Sequence, residues 1–110
     1  MRVTSDLWVA ATLRRVFASG GYGAVVRRGA TEAGAIFVVV RSRFGEATLY
    51  APRAQSDYGE ARPDERMFSA VLEGVDDTAI EARLEKERRF DPDLWVVEIE
   101  ADQRLVDELV

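Results

Sequence analysis

Apolar residues recur at helical spacing near the start of the chain, where Val9, Leu13, Val16 and Phe17 fall on one side of a helix. Thr4 or Ser5 is placed to cap it, Asp6 suits its positive end, and Gly20-Gly21 closes it. The pattern therefore predicts a helix over about residues 5–19. Leu7, Trp8 and Ala11 lie on another side of this helix, beside Arg14 and Arg15. A helix apolar on two sides is sandwiched, either within its own fold or against a partner. Those five residues are the candidate interface.

The pattern then changes to strands. Residues 24–28 form a short one, and GAIFVVVRSR, about 34–43, is the strongest, being rich in β-branched residues. Phe44-Gly45 makes a short turn and EATLYAP returns. A two-residue loop sets Arg43 opposite Glu46, Arg41 opposite Thr48 and Val39 opposite Tyr50. That register separates a core face, with Ile36, Val38, Val40, Ala47, Leu49 and Ala51, from a mixed face of Phe37, Val39, Arg41, Arg43, Thr48 and Tyr50. Residues 52–64 are polar, with Pro52, Gly59 and Pro63, and predict a mobile loop.

From Arg66 to Glu73 the alternation resumes, with Phe68, Ala70 and Leu72 inward. Asp76, Asp77 or Thr78 caps a second helix, and Thr78 with Glu81 fits a capping box. Ile80 and Leu84 are its apolar stripe, Glu85 and Arg89 an i, i+4 pair, and EKERR a solvated face. Pro92 ends that helix near Phe90. LWVVEIE follows as a strand, with Trp95, Val97 and Ile99 on one face and Leu94, Val96, Glu98 and Glu100 on the other. From Ala101 a short helix presents Leu105, Val106 and Leu109. The elements add up to one α+β domain over 1–110: a helix, a mostly antiparallel sheet of four to five strands, a helix before the last strand and a short terminal helix. Strand and helix alternate too little for a doubly wound sheet.

Composition narrows the chemistry. The 110 residues include no Cys, no His and no Asn. A zinc site lacks its usual ligands and a Ser-His-Asp relay lacks its base. The only lysine is Lys86, so a Walker A loop is absent. No metal site and no cofactor is expected. GGYGAVVRRG places its glycines after a helix and before a strand, the reverse of the dinucleotide fingerprint. MRVTSDLWVAATLRR does not read as a signal peptide, and no window suits a membrane span. The expected setting is the cytoplasm. The net charge of −5 divides into +3 over residues 1–66 and −8 over 67–110. An acidic total argues against a general nucleic-acid binder.

Three long strings, WVAATLRRVFASGG, GATEAGAIFV and RRFDPDLWVVEIE, together resemble a family of small, mainly alphaproteobacterial proteins catalogued as domain of unknown function 1491. The likeness spans nearly the whole chain. It implies a single cytoplasmic bacterial domain and carries over no activity and no site residue.

The sharpest local question lies in RRFDPDLWVVEIE, where Asp91, Asp93, Glu98 and Glu100 fall within ten residues. A paired-carboxylate or hard-cation site at Asp91, Asp93 and Glu98 is one reading. The plainer one makes Asp91 and Asp93 turn residues, with Glu98 and Glu100 on a solvent-facing edge. The mixed face offers Phe37 and Tyr50 to stack bases and Arg41 and Arg43 to hold phosphates, unless a helix covers it. The leading expectation is a non-enzymatic protein-interaction module, a homodimer or a subunit of a larger assembly. An RNA- or nucleotide-binding domain and a cation-dependent enzyme are the alternatives.

Overall fold

The elements run α1 (Ser5–Ala18), β1 (Tyr22–Arg27), β2 (Ile36–Arg41), β3 (Ala47–Pro52), β4 (Phe68–Val75), α2 (Asp77–Phe90), β5 (Trp95–Glu100) and α3 (Gln103–Leu109). The computed structural model describes residues 3–53 and 66–110. The loop expected at 52–64 therefore lies, from residue 54 onward, outside the described residues.

The five strands make one mixed sheet in the order β1-β5-β2-β3-β4. The pairs β1–β5, β2–β3 and β3–β4 are antiparallel, and β2–β5 is parallel. β5 is thus inserted between the first two strands. Its run LWVVEI is nearly continuous in apolar residues, as a strand covered on both faces should be. Trp95, Val97 and Ile99 join Val9, Val16, Ile36, Val38, Val106 and Leu109 under α1 and α3. Leu94 and Val96 join Phe37, Val39, Leu49 and Ile80 under α2. Helices therefore cover both faces.

The helix ends follow from local chemistry. At the end of α1, Gly20 takes φ +88° and Gly21 N–H donates to Val16 O at 3.0 Å while Gly20 N–H donates to Phe17 O at 3.1 Å. This is the paired reverse bonding that a left-handed glycine permits after a helix. The α1 stripe is rotated from the expected one, since Ser5, Val9, Thr12 and Val16 are buried and Phe17 is exposed. Asp76 caps α2, accepting from Ala79 N–H at 3.0 Å, so the expected Thr78–Glu81 box gives way to the residue before the helix. Within α2, Glu85 lies nearer Arg88 than Arg89, and Arg83 bonds Glu87 at 2.8 Å. Asp102 caps α3 through Leu105 N–H at 3.0 Å.

Two registers differ from expectation. In the β2–β3 hairpin Val38 faces Tyr50, Val39 faces Leu49 and Arg41 faces Ala47. The loop is longer than Phe44-Gly45. Ser42 N–H donates to Glu46 O at 2.9 Å, Ser42 Oγ accepts from Phe44 N–H at 3.1 Å, and Gly45 takes φ +89°. A left-handed glycine at the last position of a three-residue loop is a common hairpin solution. The one-residue slip turns β3 over relative to β2. In β4, the pairing with β3 shifts register on both sides of Leu49. Phe68 consequently faces the α1/α3 side and Leu72 the α2 side, while Ala70 is exposed.

Candidate functional site

Asp91, Pro92 and Asp93 form a turn that other segments grip. Asp91 Oδ1 accepts from Asp93 N–H at 3.1 Å, a local bond that Asp provides in turns. Asp93 O accepts from Ala30 N–H at 2.9 Å, and Pro92 O accepts from Arg27 Nη2 at 2.7 Å. A Cβ on Gly29 would land on the backbone of Asp93 and Leu94, so only glycine allows this approach. The loop over 29–34 also serves Trp95, whose indole Nε1 donates to Ala30 O at 2.7 Å beneath the Arg28 guanidinium, 5.0 Å from the ring centroid. The same loop holds the start of α1. Glu32 O and Thr31 O accept from Ser5 N–H and Asp6 N–H, both at 3.0 Å, and Ser5 Oγ donates to Gly34 O at 2.6 Å. The strings GATEAG and FDPDLW thus meet as one structural joint.

The four carboxylates of that stretch are not assembled. Glu98 lies about 16 Å along the strand from Asp93. It accepts from Arg41 Nε at 3.0 Å, while Arg41 Nη1 reaches Asp77 at 2.6 Å. The bond to Asp77, with Glu98 adding and burial opposing, raises the Arg41 guanidinium above its ordinary range. This triad ties the start of α2 to the middle of the sheet. The expectation that Glu98 and Glu100 lie on a sheet edge is corrected, since β5 has a neighbour on each side, although Glu100 at the end of the strand does face solvent. Among the described residues no group of three or more potential ligands could hold a metal ion.

The mixed sheet face is likewise taken apart. Phe37 and Val39 are buried beneath α2, and Tyr50 lies on the opposite face with Thr48. Burial is the main cause that pushes the Tyr50 phenol up from its ordinary value, helped by Asp107 and Glu73 and opposed by a hydrogen bond with Gln103. Arg41 is held in its triad, and Arg43 is exposed in the hairpin loop. Phe37, Arg41, Arg43 and Tyr50 therefore do not share one surface, because the hairpin register places Phe37 and Tyr50 on opposite sides.

The five helix positions also diverge. Trp8 turns inward onto Phe68, ring centroids 5.2 Å apart, and Arg15 bonds Glu108 at 2.6 Å. Leu7, Ala11 and Arg14 remain exposed. Apart from the single exposed rings of Phe44 and Phe90, a further apolar exposure gathers on the outer strand β1 and the end of α1. Val26 is 62% exposed, Tyr22 and Phe17 are each 53% exposed, and Val25 is partly so. Phe17 and Tyr22 meet edge to face with centroids 6.1 Å apart. A groove of about 310 Å³ runs beside Val26, between Arg27 and the Leu84 and Arg88 side chains of α2, over Leu94 and Val96. This surface is absent from the sequence reading. Its one local signal is Val25-Val26 in a strand beside two arginines, two consecutive apolar residues that cannot both face a single core.

Comparison with known proteins agrees with this fold. No curated protein matches the chain. The solution structure of a protein from A. tumefaciens is 50% identical, with a TM-score of 0.80 over 94% of this chain and 89% of that one. A crystal structure of a DUF1491 family protein from Caulobacter crescentus is 33% identical, with a TM-score of 0.74 over 91% of this chain and 88% of the other. An NMR structure of a DUF1491 family protein from the same organism is 34% identical, with a TM-score of 0.75 over 94% and 89%. The family model described as "Protein of unknown function (DUF1491)" matches residues 3–106. With a family match over almost its whole length and solved relatives above 30% identity, the chain belongs to the DUF1491 family, a family of unknown function.

Proposed function

We propose that this protein is a protein-interaction module of the bacterial cytoplasm, acting through self-association or as a subunit of a larger assembly rather than as an enzyme. One observation carries the reading. The open edge of β1 presents Tyr22, Val25 and Val26 with Phe17 beside them. An edge strand offers unpaired backbone donors and acceptors, and most folds blunt it with charge, bulges or cover. Here one bulge interrupts the strand between Val25 and Arg27, but the side chains that flank the edge are apolar, the arrangement by which a sheet accepts a further strand. Val26 also opens onto the groove beside α2, which offers a second contact for the residue opposite it.

Affinity purification tests the reading when wild type is compared with Val26→Lys, each with and without nuclease. A stoichiometric protein, whether a second copy or another chain, is expected to survive nuclease and to be lost with Val26→Lys. Capture that ignores Val26→Lys overturns the assignment to this edge. Capture that vanishes with nuclease favours nucleic-acid binding instead.

A further inference from the structure

Resting on that reading, we infer that the occupant of the β1 edge is a second copy of this chain, added antiparallel about a two-fold axis. The charges along the edge argue for it. Glu100, opposite Tyr22 at the start of β1, is exposed, and among the described residues it forms no ion pair. Arg27, at the other end of β1, bonds the carbonyl of Pro92 and likewise has no carboxylate partner among the described residues. Five residues of strand, about 17 Å, keep the two apart within one chain. A two-fold antiparallel pairing brings each Arg27 to the Tyr22–Glu100 end of the other copy, and does so twice. A parallel arrangement would set like charge beside like.

The apolar residues obey the same symmetry. Antiparallel pairing carries Tyr22 of each copy toward Val26 of the other, covering the side chains most exposed on this edge. An isologous contact of this kind closes on itself. It would join two five-stranded sheets through β1 and leave β4 as both outer edges. β4 is suited to stay outside. Both outer strands carry a bulge, β1 once at Val26 in its pairing with β5, but the pairing of β4 with β3 shifts register twice, Gly74 takes φ +61°, and Ser69 and Glu73 are exposed. Bulges and polar side chains are how sheets stop growing. The six-residue edge is small beside a standard interface of roughly 1,600 Å², so the dimer is concentration-dependent.

Sedimentation of the full chain over a wide concentration range decides the matter. A reversible rise from the 12.3 kDa monomer to twice that mass is expected. Val26→Lys should hold the protein monomeric with an unchanged circular dichroism spectrum. Arg27→Glu or Glu100→Arg alone should weaken the dimer roughly tenfold, and the double exchange should restore it. Because Glu100 is exposed, Glu100→Arg tests the pairing even if Val26→Lys disturbs the fold. Wild type that stays monomeric throughout, or a dimer indifferent to all these changes, overturns the inference. A monomer that still captures a different protein in a Val26-dependent way removes self-association and leaves the interaction module standing. A monomer that captures nothing removes both.

Discussion

β1 and β5 lie side by side, both carry adjacent valines, and they meet opposite fates. Val96 and Val97 of β5 are buried on the two faces of the sheet, whereas Val25 and Val26 of β1 are exposed. Composition does not separate the strands. Strand order does, because β5 has hydrogen-bonded neighbours on both sides and helices above and below, while among the described residues β1 has one neighbouring strand and an open flank. The same apolar residue thus holds the fold together in one strand and is free to contact another molecule in the next.

Substitutions sharpen this contrast. The largest effect is expected at Trp95→Ala in β5, which empties the core beneath α1 and leaves Ala30 O without its indole donor. Truncating a buried aromatic of this size costs about 3–5 kcal/mol, to be read as a lower urea midpoint. Such a loss would leave a protein of ordinary stability close to unfolding. Gly29→Ala comes next. Its methyl group would strike the carbonyl of Asp93 rather than a flexible side chain, and about 1–3 kcal/mol of overpacking cost is expected in the same assay. At the other extreme, Val26→Lys in β1 should leave the monomer's unfolding free energy within about 0.5 kcal/mol of wild type, as at an exposed position, while altering what the protein binds. A large loss of monomer stability there would mean that Val26 belongs to the core after all.

What the sequence made legible follows the range of the interaction concerned. The faces of β5 could be read because Trp95, Val97 and Ile99 alternate with Leu94 and Val96 inside one strand. The C-terminal end of α1 and both ends of α2 were legible because Gly20, Asp76 and Pro92 act on backbone within a few residues of themselves, whereas the side-chain cap expected of Thr4 or Ser5 is not made, Ser5 Oγ bonding Gly34 O instead. The face of β3 was not, since a single extra loop residue between Arg41 and Ala47 turns it over and nothing in EATLYAP reveals which loop forms. The candidate nucleic-acid set depended on that face and is divided with it. The edge at β1 was hidden for a different reason. Nothing near Tyr22–Arg27 states that residues 95–100 will insert between β1 and β2 and leave the first strand outermost. The helix candidates were split because Trp8 has a partner, Phe68, sixty residues away in sequence. Asp91 and Asp93, by contrast, are legible as turn residues, since the bond from Asp93 N–H to Asp91 Oδ1 is local.

The insertion of β5 also bears on how the chain acquires its shape. β2, β3 and β4 are consecutive antiparallel neighbours and can pair as they emerge from synthesis. Among the described residues β1 has no strand partner until residues 95–100 exist, because it pairs with β5. Pairing Tyr22 with Glu100 closes a loop that holds most of the chain, and such distant pairings slow folding. Until then β1, with its adjacent valines, has no place in the sheet, and a chain interrupted before Trp95 would leave β1 without a strand partner while α1 keeps its contacts with the 29–34 loop and Phe68.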